Sequence, residues 1–182
     1  MADWQTLSSE EVYQTPWIRV RRDEVRNHNG KPLTYSVVEL RYPSVFIVAM
    51  NKEGKVLLHR NYRYTLGAHA WEVPAGHSDG EDVLVAAKRE LMEETGLASE
   101  DWTNLGTLYQ AAGIGRMPLV VFLARNIHPA SGERDVDEEI TDQRFVSFAD
   151  IERMVRDQTG DITGSGILSA LYLAKIHLEH KE

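Results

Sequence analysis

The chain has 182 residues, enough for one packed domain with a small appendage, and 28 acidic against 20 basic side chains give it a formal charge of -8. That balance argues against a general nucleic-acid surface or an anionic-membrane surface, both of which need clustered cations. There is no cysteine, which excludes disulfides, thiolate zinc sites and a cysteine nucleophile.

Met1-Ala2-Asp3-Trp4 lacks a basic-then-apolar leader pattern, and no apolar run approaches the ~20 residues of a membrane helix, so the expectation is a cytoplasmic protein without a membrane partner. Residues 11–42 read as a first extended unit: Ile18-Arg19-Val20, Asp23-Glu24-Val25, a turn at Asn27-His28-Asn29-Gly30, then Thr34 to Val38. Asn29-Gly30 between two extended runs is a hairpin signal. Pro43 punctuates the chain, and Val45 to Met50 follows as a buried strand that turns at Asn51 to Gly54 and returns as Val56 to Arg60. Trp71 to Pro74 is a short extended piece.

Between Glu81 and Thr95 the apolar residues Val83, Ala86, Ala87 and Leu91 recur at helical spacing, and Gly96 is placed to cap that helix in a left-handed conformation. Leu105 to Tyr109 and Leu119 to Ala124 read as strands, the second apolar enough to be buried on both faces. His128 to Glu139 is a polar, acidic loop. Arg144 to Phe148 is a last strand, Ala149 to Arg156 a short helix, and Ser165 to His180 a closing helix with Ser165 as its N-cap. Strands on both sides of one central helix, with a second helix at the end, predict an α+β sandwich.

The central helix carries the chemistry. Glu90, Glu93 and Glu94 lie three and four residues apart, so they share one helical face. Like charges at that spacing destabilise an isolated helix by roughly 0.2–0.5 kcal/mol per pair, so stability gives no reason to group them. A divalent cation does. Oxygen-only ligands suit Mg²⁺ or Mn²⁺, which bridge one or two protein carboxylates to substrate phosphates.

Glu81, seven residues, then Arg89-Glu90-Leu91-x-Glu93-Glu94-x-Gly96-Leu97 closely resembles the box of the Nudix hydrolases, metal-dependent enzymes that cleave nucleoside diphosphates linked to another moiety. The resemblance has one departure: Gly76 and Glu81 are separated by four residues, where the box has five, and counting back from Arg89 puts Ala75 at the position of the box glycine. Trp71-Glu72-Val73-Pro74-Ala75-Gly76, preceded by Arg60-Asn61-Tyr62-Arg63-Tyr64, resembles the ADP-ribose and nucleoside diphosphate sugar branch of that family.

The resemblance implies a Nudix-like α/β/α sandwich with a mixed sheet over residues 43–182, and an N-terminal antiparallel β appendage over residues 1–42. It implies Mg²⁺ or Mn²⁺ on Glu90, Glu93, Glu94 and the Ala75 carbonyl, with Arg89 and Glu81 as an ion pair fixing the acidic helix. Glu139, or Glu138 one residue earlier, would be the base that activates water. Arg63 and Arg116 would contact phosphate, Tyr62 or Tyr64 would stack on a base, and Glu72 would add a metal or substrate contact. His77 lies in the shortened loop. The implied reaction is hydrolysis of a nucleotide-sugar diphosphate to a nucleoside monophosphate and a sugar phosphate. A house-cleaning hydrolase of nucleoside triphosphates and a nucleotide-sensing module that does not cleave are the alternatives. Members of this branch commonly pair as homodimers through the appendage; Trp17, Ile18 and Val20 would form a self-complementary patch or pack within the monomer.

Overall fold

The computed structural model describes residues 4–131, 140–158, 161–162 and 164–180. In chain order the elements are β1 (Gln5–Gln14), β2 (Ile18–Arg26), β3 (Pro32–Leu40), β4 (Ser44–Ala49), β5 (Val56–Arg63), β6 (Ala68–Glu72), β7 (Ala75–His77), α1 (Val83–Thr95), β8 (Leu97–Ala98), β9 (Asp101–Gln110), β10 (Gly115–Arg125), β11 (His128–Pro129), β12 (Ile140–Val146), α2 (Phe148–Arg156) and α3 (Ser165–Glu179). The result is a mixed sheet between helices, with antiparallel strands at its N-terminal end.

β10 organises the main sheet. It pairs antiparallel with β9 on one side; on the other, its first residues run parallel to β3 and the rest run parallel to β4. β4 continues to β7, and β3 continues to β2 and β1. Side chains alternate across these strands. Val45, Ile47, Ala49, Val120 and Phe122 pack with Ala86, Ala87 and Leu91 of α1. Val48, Leu119, Val121 and Leu123 pack with Ile167, Ala170, Leu171 and Ala174 of α3. Both faces of β10 are therefore covered, as its continuous apolar run predicts.

A second sheet, β12-β5-β6, packs beside the first. The apolar runs of β4 and β5 are consecutive in sequence, yet a single bridge, Met50 to Val56, joins them, and the chain passes from one sheet to the other. Periodicity identifies a strand but not its partner.

The predicted hairpin joins β2 to β3 in register from Ile18–Leu40 to Arg26–Pro32. The Asn27 side chain accepts hydrogen bonds from the amides of Asn29 and Lys31, and Gly30 takes φ 78°. β1, whose first six residues precede the predicted extended unit, pairs with β2 and is exposed at every position. Asp23 and Glu39 are buried in this unit against Arg21 (2.9 Å) and Arg19 (2.5 Å) respectively.

One cap differs from expectation. Ser165 is the first residue of α3, and the N-cap is Gly164, which supplies no side-chain bond. Ile167, in the first turn of the same helix, packs where a side chain at position 164 would stand, so glycine rather than Ser occupies the cap. Among the described residues no helix is long and apolar enough to cross a membrane.

Candidate active site

α1 is held at both ends. The Asp82 side chain accepts from the amides of Leu84 (2.9 Å) and Val85 (3.3 Å), and Gly96 closes the helix at φ 72° with its amide bonded to the Met92 carbonyl. The shortened loop before the helix closes as a tight turn. Ser78 and Glu81 are joined by an amide-to-carbonyl bond of 2.7 Å, and Asp79 and Gly80 between them both have positive φ. Asp-Gly suits such a turn because Asp tolerates the left-handed region and Gly adopts it freely. The deletion is thus absorbed before the helix begins.

The acidic face is not a solvated one. Glu94 is 2% exposed and Glu90 8%, while Glu93 is half-buried. β7, antiparallel to β4, brings the Ala75–Gly76 peptide against these carboxylates. The Ala75 amide donates to Glu94 Oε2 at 3.0 Å. A Cβ at Gly76 would fall 2.1 Å from the Glu90 carboxyl carbon, so any side chain there would displace that carboxylate.

Arg89 is hydrogen-bonded to Glu81 (3.1 Å), Glu90 (2.9 Å), Glu93 (2.9 Å) and the His77 carbonyl (3.0 Å). Burial opposes its charge, but the bonds to Glu93 and Glu81 and the charges of Glu90 and Glu93 outweigh it, so the guanidinium is held above its ordinary range. One guanidinium thus bridges three carboxylates and ties the helix face to the loop before it.

Of these residues Ala75, Gly76, His77 and Glu90 line a cleft of about 420 Å³, together with Trp17, Ser44, Phe46, Arg63 and Asp79; Glu93 and Glu94 are not part of this lining. Arg63 forks onto the buried Glu72, its Nε lying 2.9 and 2.8 Å from the two carboxylate oxygens. Tyr62 and Arg116 are not among the lining residues: Tyr62 stands edge-on to His69, and Arg116 borders a separate hollow with Arg19, Arg41 and Tyr42. Tyr64 is exposed and also apart from the cleft. Glu138 and Glu139 lie outside the described residues. Trp17, read from sequence as part of a self-complementary patch or as packing within the monomer, lines the cleft while remaining 63% exposed. Its only sequence signal is an aromatic residue directly after Pro16.

The NUDIX domain model matches residues 40–163. The chain belongs to the Nudix family. Residues 4–38 of this Nudix chain match the nucleoside diphosphate sugar hydrolase N-terminal domain. It is 34% identical over 165 residues to the ADP-ribose pyrophosphatase of Mycobacterium tuberculosis, covering 90% of this chain and 79% of that one. The ADP-ribose pyrophosphatase of Bacillus subtilis is 28% identical, with 85% and 84% covered. A crystal structure of an ADP compounds hydrolase superposes with a TM-score of 0.84 at 25% identity, covering 100% of this chain and 97% of that one. The chain is a pyrophosphohydrolase.

Nudix hydrolases use divalent metal ions, and the residues present fit one. Among the described residues no three His, Cys, Asp or Glu side chains form a ready-made cage. What the structure brings together instead is the carboxylates of Glu90 and Glu94 against the Ala75–Gly76 peptide, with Glu90, Ala75 and Gly76 open to the cleft. A hard cation that retains waters and takes further oxygens from its substrate suits that set.

Proposed function

We propose that this Nudix hydrolase cleaves the diphosphate of nucleoside diphosphate sugars, with ADP-ribose as the leading candidate, to a nucleoside monophosphate and a sugar phosphate. The observation that carries the reading is the joint construction of the cleft: buried Glu90 and Glu94 meet Ala75–Gly76 on one side, and Trp17 of the N-terminal unit forms another wall. A triphosphate hydrolase has no evident use for that second wall.

Glu90, Glu94, Glu93 and the Ala75 carbonyl would hold Mg²⁺, for which Mn²⁺ is the natural substitute. Bound there, the metal neutralises diphosphate oxygens and so exposes phosphorus to attack. Arg89 keeps Glu90 and Glu93 in place. Arg63, held by Glu72 on the cleft wall, would contact a phosphate oxygen. Trp17 offers a face for the base. Glu139, or Glu138, takes a proton from water as the water oxygen bonds to phosphorus; the bond from phosphorus to the bridging oxygen breaks, and that oxygen leaves on the second phosphate.

The exposed N-terminal strand supports a homodimer, since β1 has no core of its own and Leu7, Val12 and Tyr13 stand in solvent. A cytoplasmic location accords with a nucleotide-sugar substrate.

The test is Mg²⁺-dependent release of phosphomonoester from ADP-ribose, other ADP-sugars, GDP-sugars and a set of nucleoside triphosphates. The expected result is highest kcat/KM with one of the diphosphate-linked sugars. Faster conversion of a triphosphate to monophosphate and pyrophosphate would overturn the substrate assignment.

A further inference from the structure

We propose that His59 and Gln143 are positioning residues that hold Glu94 in register for metal binding; the proposal rests on the reading of Glu94 as a metal ligand. Three polar side chains form a row across the second sheet. In β12-β5-β6, Gln143 pairs with His59 and His59 pairs with Glu72. Directly paired residues of antiparallel strands point to the same face. On β5 that face is also occupied by Leu57, which packs in the α1 cluster with Ala86, Ala87 and Leu91, while Val56 and Leu58 point the other way. His59 therefore continues the α1-facing side of β5.

Each member of the pair addresses a different part of Glu94. His59 is wholly buried, and its Nδ1 lies 3.8 Å from Glu94 Oε2, within electrostatic reach though longer than a hydrogen bond. Gln143 Nε2 donates to the Glu94 carbonyl at 3.1 Å. That carbonyl belongs to the last turn of α1, where the helix supplies no amide partner. Glu94 is thus hydrogen-bonded at its carboxylate by the Ala75 amide and at its backbone by Gln143, with the His59 ring packed beside the carboxylate at 3.8 Å.

Packing alone would favour an apolar residue at position 59, because a buried imidazole beside a buried carboxylate is costly to desolvate. What the polar row supplies is orientation. Groups that orient metal ligands are worth about 10- to 100-fold in affinity or activity.

The test uses the full chain with His59→Leu, His59→Gln, Gln143→Leu and, in parallel, Glu94→Gln. Mn²⁺ affinity is measured by titration calorimetry without substrate, kcat and KM at saturating Mg²⁺, and Tm in chelator. His59→Leu should raise the Mn²⁺ Kd about tenfold, with Gln143→Leu smaller in the same direction and His59→Gln partly restoring affinity. KM should change little, and Tm in chelator should hold or rise for His59→Leu. A Tm loss with Mn²⁺ Kd within about twofold of wild type in both Leu variants would make the row structural and overturn the proposal. If that occurs while Glu94→Gln does weaken Mn²⁺ binding, the ligand reading stands and only positioning falls. Unchanged Mn²⁺ affinity in Glu94→Gln overturns both. Gln143 is only partly buried, so Gln143→Leu decides the matter if His59→Leu does not fold.

Discussion

Two buried carboxylates one turn apart would be a liability in an ordinary core, since each must be compensated by a cation or by donated hydrogen bonds. Here the Ala75 amide serves Glu94 and Arg89 serves Glu90, so single substitutions at these positions are informative. Glu94→Gln keeps an oxygen to accept the Ala75 amide but removes the charge. Turnover should fall by more than about 100-fold, because even the outer partners of metal ligands are worth about 10- to 100-fold. Tm in chelator should stay level or rise slightly as repulsion with Glu90 is relieved; full activity would sink the ligand assignment. Gly76→Ala separates function from stability differently. The added methyl group meets the end of the Glu90 side chain, which can rotate away, so activity should fall steeply with only a small loss in Tm. A variant that is badly unfolded would show that Glu90 cannot move.

At the scale of the element, α1 is a helix whose caps matter because its polar face opposes it. Arg89 offsets part of the repulsion among Glu90 and Glu93, but Asp82 and Gly96 terminate the helix in sequence-specific ways. Asp82→Ala should cost about 1 kcal/mol in chemical denaturation, with no change in KM. A loss of activity at unchanged stability would mean that Asp82 has a further role in the cleft. The C-cap of α1 was legible in the sequence because capping is local: Gly96 is where a left-handed residue is needed, and it adopts φ 72°. The cap of α3 fell at Gly164, one residue before the expected Ser165, where Ile167 of the first turn occupies the space of a side chain.

At the scale of the whole molecule, the N-terminal sheet is joined to the catalytic sheet by a short parallel pairing of Gly115 and Arg116 with Val38 and Glu39. β1 carries Glu10 and Glu11 and register shifts near Thr6 and Glu11, features that discourage indefinite edge-to-edge pairing. A closed dimer through its apolar side chains is the expected assembly. Light scattering after gel filtration should give about twice the chain mass of 20.7 kDa, and Leu7→Glu with Val12→Glu should return the monomer value. A wild-type mass of 20.7 kDa would remove the dimer.

The sequence by itself determined that Glu90, Glu93 and Glu94 share one helical face, that Gly96 caps α1, the β2–β3 hairpin and the family, because each depends on spacing along a few turns or on a turn of fixed chemistry. Tertiary structure alone decided that Glu90 and Glu94 are buried, that β4 and β5 belong to different sheets, and that Trp17 rather than Tyr62 walls the cleft. It also placed His59 and Gln143 beside Glu94, from positions 35 and 49 residues distant in the chain. Periodicity says which face of an element is apolar; which element covers that face depends on packing between segments remote in sequence.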